Sequence, residues 1–74
     1  HHEAIDYHMR SLAIKRELGD RAGESKSLGN LGLAYDRLGR HQEAIQHLTQ
    51  SLAIAREFDA KSALEYARAM AGID

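Results

Sequence analysis

The sequence predicts an all-α protein of antiparallel helix-turn-helix repeats, with four helices in a row, and three observations predict it. The first is an internal repeat with a period of forty residues. His1, Glu3, Ala4 and Ile5 recur as His41, Glu43, Ala44 and Ile45, and Ser11, Leu12, Ala13, Ile14, Arg16 and Glu17 recur as Ser51, Leu52, Ala53, Ile54, Arg56 and Glu57. A period of this size in a helical pattern means stacked helix pairs, because one pair cannot bury its apolar face alone. The second is composition: Ala, Leu, Arg and Glu dominate, proline and valine are absent, and Thr49 is the sole threonine, which is the usage of a helix-former. The third is spacing, with apolar residues recurring three and four apart throughout.

The first helix is expected from His1 to Leu18, with Ala4, Ile5, Met9, Leu12 and Ile14 mostly on one side beside small Ser11 and Ala13. Gly19 can take the left-handed conformation that ends a helix, and Asp20 can cap the next one. The second helix follows from about Arg21 to Leu38, where Leu28, Leu31, Gly32, Tyr35 and Leu38 carry the period. Gly23, Gly29 and Gly32 each cost about 1 kcal/mol against alanine inside a helix. Three of them imply that a neighbouring helix packs directly on the backbone. Gly39-Arg40 makes the short turn into a third helix, about His41 to Phe58, whose apolar face is Ala44, Ile45, Leu48, Ser51, Leu52, Ala55 and Phe58. A fourth helix, about Ala60 to Ala71, is Ala-rich with Leu64 on its stripe, and Gly72-Ile73-Asp74 reads as a frayed end.

Seventy-four residues bound a single domain, and 43% hydrophobic with 28% charged residues suits a folded chain. The net charge is −1 with the signs interleaved, so no basic stripe invites nucleic acid or an anionic membrane. No apolar run reaches the roughly eighteen residues that a bilayer span needs. Cysteine is absent, which removes disulfide and thiol chemistry. His1-His2 fit native sequence or a tag remnant, and the alignment of His41 on His1 favours native sequence. No His pair stands four apart with a third ligand, so no metal site and no cofactor are expected. Carboxylates have opposite charges nearby, Glu17 with Arg21, Asp36 with Arg40 and Glu65 with Arg68, as surface pairs do. No Ser sits in a turn with a partnered His. An enzyme is not expected.

The residues resemble a tetratricopeptide repeat. Leu28, Leu31-Gly32 and Tyr35 match the signature of the family's helix A, and Ala44, Leu48 and Ser51 that of its helix B. The first helix repeats the B pattern with Ala4, His8 and Ser11, where His8 departs from the usual aromatic. The period of forty and the phrases Leu-Gly-Asn-Leu-Gly and Arg-Glu-Leu-Gly-Asp resemble the long-repeat branch, to which kinesin light chains and polarity adaptors with GoLoco motifs belong. The likeness covers about Glu3 to Asp59 and fades beyond Ala60, where Leu28 becomes Arg68 and Leu31 becomes Ala71. It implies an α-solenoid fragment in the order B-A-B-A: residues 1–20 as helix B of a first repeat, 21–59 as a complete repeat, and 60–74 as helix A of a degenerate repeat or a cap.

Lys26, Asn30, Leu33 and Arg37 recur at spacings of four, three and four on one face of the second helix. In the family, helices A line a concave groove. Asn30 is similar to the asparagine that bonds an extended peptide backbone there, and Lys26 to a lysine of the carboxylate clamp. An amide suits that role because it offers a donor and an acceptor. Forty residues on, the same positions hold Tyr66 and Met70, so a second polar clamp is missing. The resemblance therefore implies a non-catalytic, cytoplasmic scaffold for a peptide or partner helix. Self-assembly into a homo-oligomer, and a sensory segment of a larger signalling protein, are the other readings.

Overall fold

The computed structural model describes residues 2–72, so His1 and the frayed end expected at Ile73 and Asp74 lie outside the described residues. Three helices run α1 His2–Leu18, α2 Arg21–Arg37 and α3 His41–Met70. Both turns follow the local chemistry. Gly19 takes φ +70° and Gly39 φ +79°, a region that costs a residue with a Cβ. At the first turn the Gly19 and Asp20 N–H groups donate to the Arg16 and Lys15 carbonyls at 3.2 and 2.9 Å, closing α1. Asp20 then accepts from the Gly23 N–H at 2.9 Å and caps α2. The second turn repeats the closure, with Gly39 and Arg40 donating to the Asp36 and Tyr35 carbonyls, both at 2.9 Å.

The expectation of four helices is corrected here: the third and fourth are one helix of 30 residues. The forty-residue repeat supplies the reason. Gly19 and Asp20, which end α1 and cap α2, correspond to Asp59 and Ala60. Neither the left-handed glycine nor the cap is present there, and nothing else between Phe58 and Lys61 stops a helix. The molecule is accordingly long, 51 × 24 × 12 Å, the first dimension being close to the roughly 45 Å length of such a helix.

The core is carried by α2, which packs against α1 on one side and α3 on the other. Leu28 and Leu31, fully buried, meet Ile5 and Leu12 of α1 and Ile54 of α3, with Ala34 inside and Tyr35 and Leu38 packed on the margin. No Cα of α1 comes within 8 Å of one in α3 among the described residues. Several expected core positions are therefore exposed: Ala4, Met9 and Ile14 on α1, and Ile45, Leu48, Leu52 and Phe58 on α3. Ile14, Ile45 and Leu52 lie on sides of their helices turned away from α2, whereas Leu48 packs on Gly32 despite its exposure and Met9 borders Leu28 and Leu31.

Close approach holds at Gly32, where an added Cβ would stand 2.5 Å from Leu48 Cγ and 3.2 Å from the Ala44 carbonyl. It does not hold elsewhere in the same sense. A Cβ at Gly23 would meet its own turn, Asp20 Oδ2 at 2.5 Å and the Lys15 side chain, and one at Gly29 would make ordinary contact with Ser51 Oγ at 3.4 Å. Serine clasps join the layers instead. Ser25 donates to the Ser51 carbonyl at 2.9 Å while Ser51 donates to that of Ser25 at 2.7 Å, and Ser11 lies 3.3 Å from Ser27 across α1 and α2.

Candidate functional site

Helix geometry places Lys26, Asn30, Leu33 and Arg37 within an arc of about 60° on α2. That arc lies opposite buried Leu28 and Leu31, so the row is turned away from the core. Lys26, Leu33 and Arg37 are exposed and Asn30 is half-buried. Lys26 and Asn30 come together in one groove of about 250 Å³, with Ser27 beside them and Tyr7, His8, Ser11 and Lys15 of α1 forming the opposite wall. Leu33 and Arg37 lie outside this groove, further along α2. The four expected residues are thus divided between a lined groove and an open helix face.

The α1 wall escaped the sequence reading, although the repeat carried a signal. Tyr7, His8 and Lys15 correspond to His47, Leu48 and Ala55, positions where the two copies differ, while the shared residues supply the scaffold. Tyr7 and His8 pack edge to face with centroids 5.4 Å apart. Lys15 reaches back to Asp20 at 3.6 Å, whereas Lys26 has no ion-pair partner among the described residues. The groove thus offers an unpaired ammonium, an amide, hydroxyls and an aromatic wall, which suits a carboxylate or a peptide main chain.

Charge pairing holds the groove's two helices and α3 in register. Arg16 and Arg21 both donate to buried Glu24, at 3.2 and 3.1 Å, and Arg21 also makes a two-oxygen contact with Glu57 at 2.8 and 2.9 Å. The Glu57 hydrogen bond, followed by Glu24, holds the Arg21 pKa above its ordinary range against some loss from desolvation. Its charge is therefore constant through the acid and neutral range. The expected surface pairs differ from these: Arg21 bonds Glu24 and Glu57 rather than Glu17. Asp36 meets His41 at 3.0 Å, Arg40 pairs with Glu43, and Glu65 and Arg68 form no ion pair among the described residues. Arg40 also lies 5.0 Å over the Tyr35 ring, which stacks on His47.

On the other side of α2, Met9, Leu12 and Arg16 of α1 and His47 and Gln50 of α3 border a shallower groove of about 400 Å³ floored by Leu28 and Leu31. No three His, Asp or Glu side chains converge on a point among the described residues. No described helix is long and apolar enough to cross a membrane.

A family model described as tetratricopeptide repeat matches residues 1–57. The G-protein-signaling modulator 1 of Homo sapiens is 48% identical over 44 residues, 60% of this chain and 6% of that protein. The proteins of the same name from Mus musculus and Rattus norvegicus are each 42% identical over 43 residues, 58% of this chain and 6% of theirs. The chain thus spans about 6% of the length of the curated relatives it matches. No solved structure matches it significantly. The family match ends at Glu57, two residues past Ala55, the last half-buried residue of α3.

Proposed function

The chain belongs to the tetratricopeptide repeat family, and from that premise we propose that it is a non-catalytic protein-interaction module whose groove between α1 and α2 holds a peptide or partner helix. One observation carries the reading: Lys26 and Asn30, singled out by their spacing on α2, share a groove with polar and aromatic side chains of α1. The half-buried Asn30 amide bonds the peptide main chain, and Lys26 selects for acidic residues at the rim. Leu33 and Arg37 extend the contact along α2. Residues 1–20 act as the B helix of a first repeat and 21–59 as a complete repeat. The relatives are named modulators of G-protein signalling, which supports a regulatory scaffold within a signalling protein. A second reading, self-assembly, is favoured by exposed Ile45, Leu52 and Ile14 on the two outer helices.

The test is selection of ligands from an immobilised random peptide library, followed by titration of the selected peptides. Asn30→Ala is expected to weaken binding by about 1–3 kcal/mol, since it strands backbone groups that the groove had satisfied. Lys26→Ala is expected to weaken acidic peptides selectively, with an effect that shrinks as salt rises. Gln46→Ala, exposed on α3, is the control; Glu43 is unsuitable because it pairs with Arg40. If Asn30→Ala binds like the parent while changes on the face bearing Met9 and Gln50 abolish binding, the groove assignment is wrong.

A further inference from the structure

Every polar side chain lining the groove beside Lys26 can donate a hydrogen bond, and none of them is a carboxylate. Lys26, Ser27 and Asn30 come from α2, and His8, Ser11 and Lys15 face them from α1. Lys26 has no ion-pair partner among the described residues. Asp20 offsets part of the Lys15 charge through one oxygen at 3.6 Å, while its other oxygen caps α2. The Ser11 and Ser27 hydroxyls lie 3.3 Å apart. One hydrogen serves the bond between them, which leaves the second for a ligand.

The forty-residue repeat serves as an internal comparison. His8, Lys15, Lys26, Ser27 and Asn30 correspond to Leu48, Ala55, Tyr66, Ala67 and Met70, and Ser11 alone recurs, as Ser51. The helices repeat without these donors, so helix formation does not require them. At half-buried His8 the chain also departs from the aromatic residue usual in the B pattern. An imidazole brings an N–H donor there and, once protonated, a further positive charge. The charged groups facing His8 are Lys15 on its own helix and Lys26 on α2, with Asp20 behind Lys15 and the Tyr7 ring edge-on. No residue of α3 lines the groove.

A carboxylate brings one charge and two acceptor oxygens to such a set, whereas a phosphomonoester brings a charge of about −1.5 to −2 and three. The second matches two lysines, an imidazole and a hydroxyl pair more fully. A membrane is the poorer source of that phosphate, because the chain's net charge is −1 with the signs interleaved and no broad basic face exists. Resting on the groove's reading as a peptide site, we propose that it selects a phosphorylated serine or threonine of the partner peptide. Lys26 and His8 take the phosphate from its two sides, the Ser11–Ser27 pair adds a neutral donor, and Asn30 holds the adjoining main chain.

The probe is phosphoserine capped as its N-acetyl N-methylamide, titrated into the isotope-labelled 74-residue chain and followed by NMR shifts of the groove residues. Saturation is expected with a Kd of a few millimolar or below, roughly the range open to so small a ligand. Capped glutamate should bind about tenfold or more weakly, and capped serine should not saturate. Lys26→Met should weaken capped phosphoserine about tenfold. His8→Phe keeps a ring against Tyr7 and should weaken it several-fold at about pH 6 but little at about pH 8. Phosphate itself gains a proton at about pH 6, so parent and variant are compared at equal pH, which cancels the ligand's titration. Asn30→Ala should weaken capped phosphoserine and leave inorganic phosphate, the second probe, unchanged. No saturation up to roughly 10 mM overturns the proposal, as does capped glutamate binding equally well. An equal loss in His8→Phe at both pH values removes the charge role of His8. Inorganic phosphate binding as tightly as capped phosphoserine would make a free anion the ligand, and binding confined to vesicles carrying a phosphoinositide would make it a membrane; either overturns the assignment. Unphosphorylated library peptides that bind through Asn30 while capped phosphoserine does not would overturn the phosphate assignment and leave the peptide groove standing.

Discussion

At the scale of single residues, the glycines of α2 show how the same residue type answers different demands. Gly32 leaves room for Leu48 and the Ala44 carbonyl, Gly23 leaves room for the Asp20 cap, and Gly29 has ordinary space around it. Gly32→Leu should therefore destabilise by about 1–3 kcal/mol through overpacking, although leucine has the better helix propensity. Gly29→Ala should do the opposite and stabilise by up to about 1 kcal/mol, because propensity is unopposed there. Thermal or urea unfolding of the two variants checks both signs. Equal or higher stability for Gly32→Leu would mean that Leu48, which is partly exposed, moves aside. The need for one tight glycine was legible in the sequence, because three costly residues in one helix demand a reason. That Gly32 is the one meeting the next helix near Ala44 and Leu48 was legible too, from its place in the Leu31-Gly32 signature.

Among elements, the long α3 is the departure that local chemistry explains best. Asp59 and Ala60 replace the glycine and cap that end α1, so the helix runs through. Restoring them with Asp59→Gly and Ala60→Asp should break α3 after Phe58. Spin labels at positions 46 and 68 are about 33 Å apart along a continuous helix. In the double variant the distance distribution should shorten and broaden, because Arg68 stands where Leu28 is buried and keeps the freed segment from docking. Adding Leu64→Glu and Arg68→Leu restores two of the α2 residues that seat on a neighbouring helix, Glu24 and Leu28, and should narrow the distribution at short distance. A single narrow peak near the original distance in the double variant would show that the glycine and cap do not stop the helix here, and would discard the explanation.

For the whole molecule, shape and surface set the expected behaviour. One helix is packed on both sides and two are packed on one, leaving Ile14, Leu18, Ile45, Leu52 and Phe58 partly or largely in solvent. Exposed apolar rows of this kind associate, and the isolated chain is expected to self-associate at micromolar concentration. Sedimentation velocity over a range of concentrations checks this. A compact monomer at all concentrations would mean that residues 59–70 fold back over residues 41–58. The row Arg16–Glu24–Arg21–Glu57 spans all three helices, so added salt should lower the melting temperature, and less so in Arg21→Gln.

The amino-acid sequence by itself determined α1, α2, both turns and the row from Lys26 to Arg37, but not that the third and fourth expected helices are one. Helical period, left-handed glycines and the forty-residue repeat are local or self-referential signals that need no knowledge of neighbours. Only the tertiary structure decided which face of each repeated helix is covered. Ile5 and Ile45 are the same residue in matching contexts, yet one is buried and the other is not. Nor could spacing along α2 supply Tyr7, His8 and Lys15 as the groove's second wall, because that juxtaposition is made by α1 crossing α2. Amphipathic pattern records what a residue prefers, whereas burial requires a second element to be present, and the chain provides one such element for two helices that each have two apolar faces.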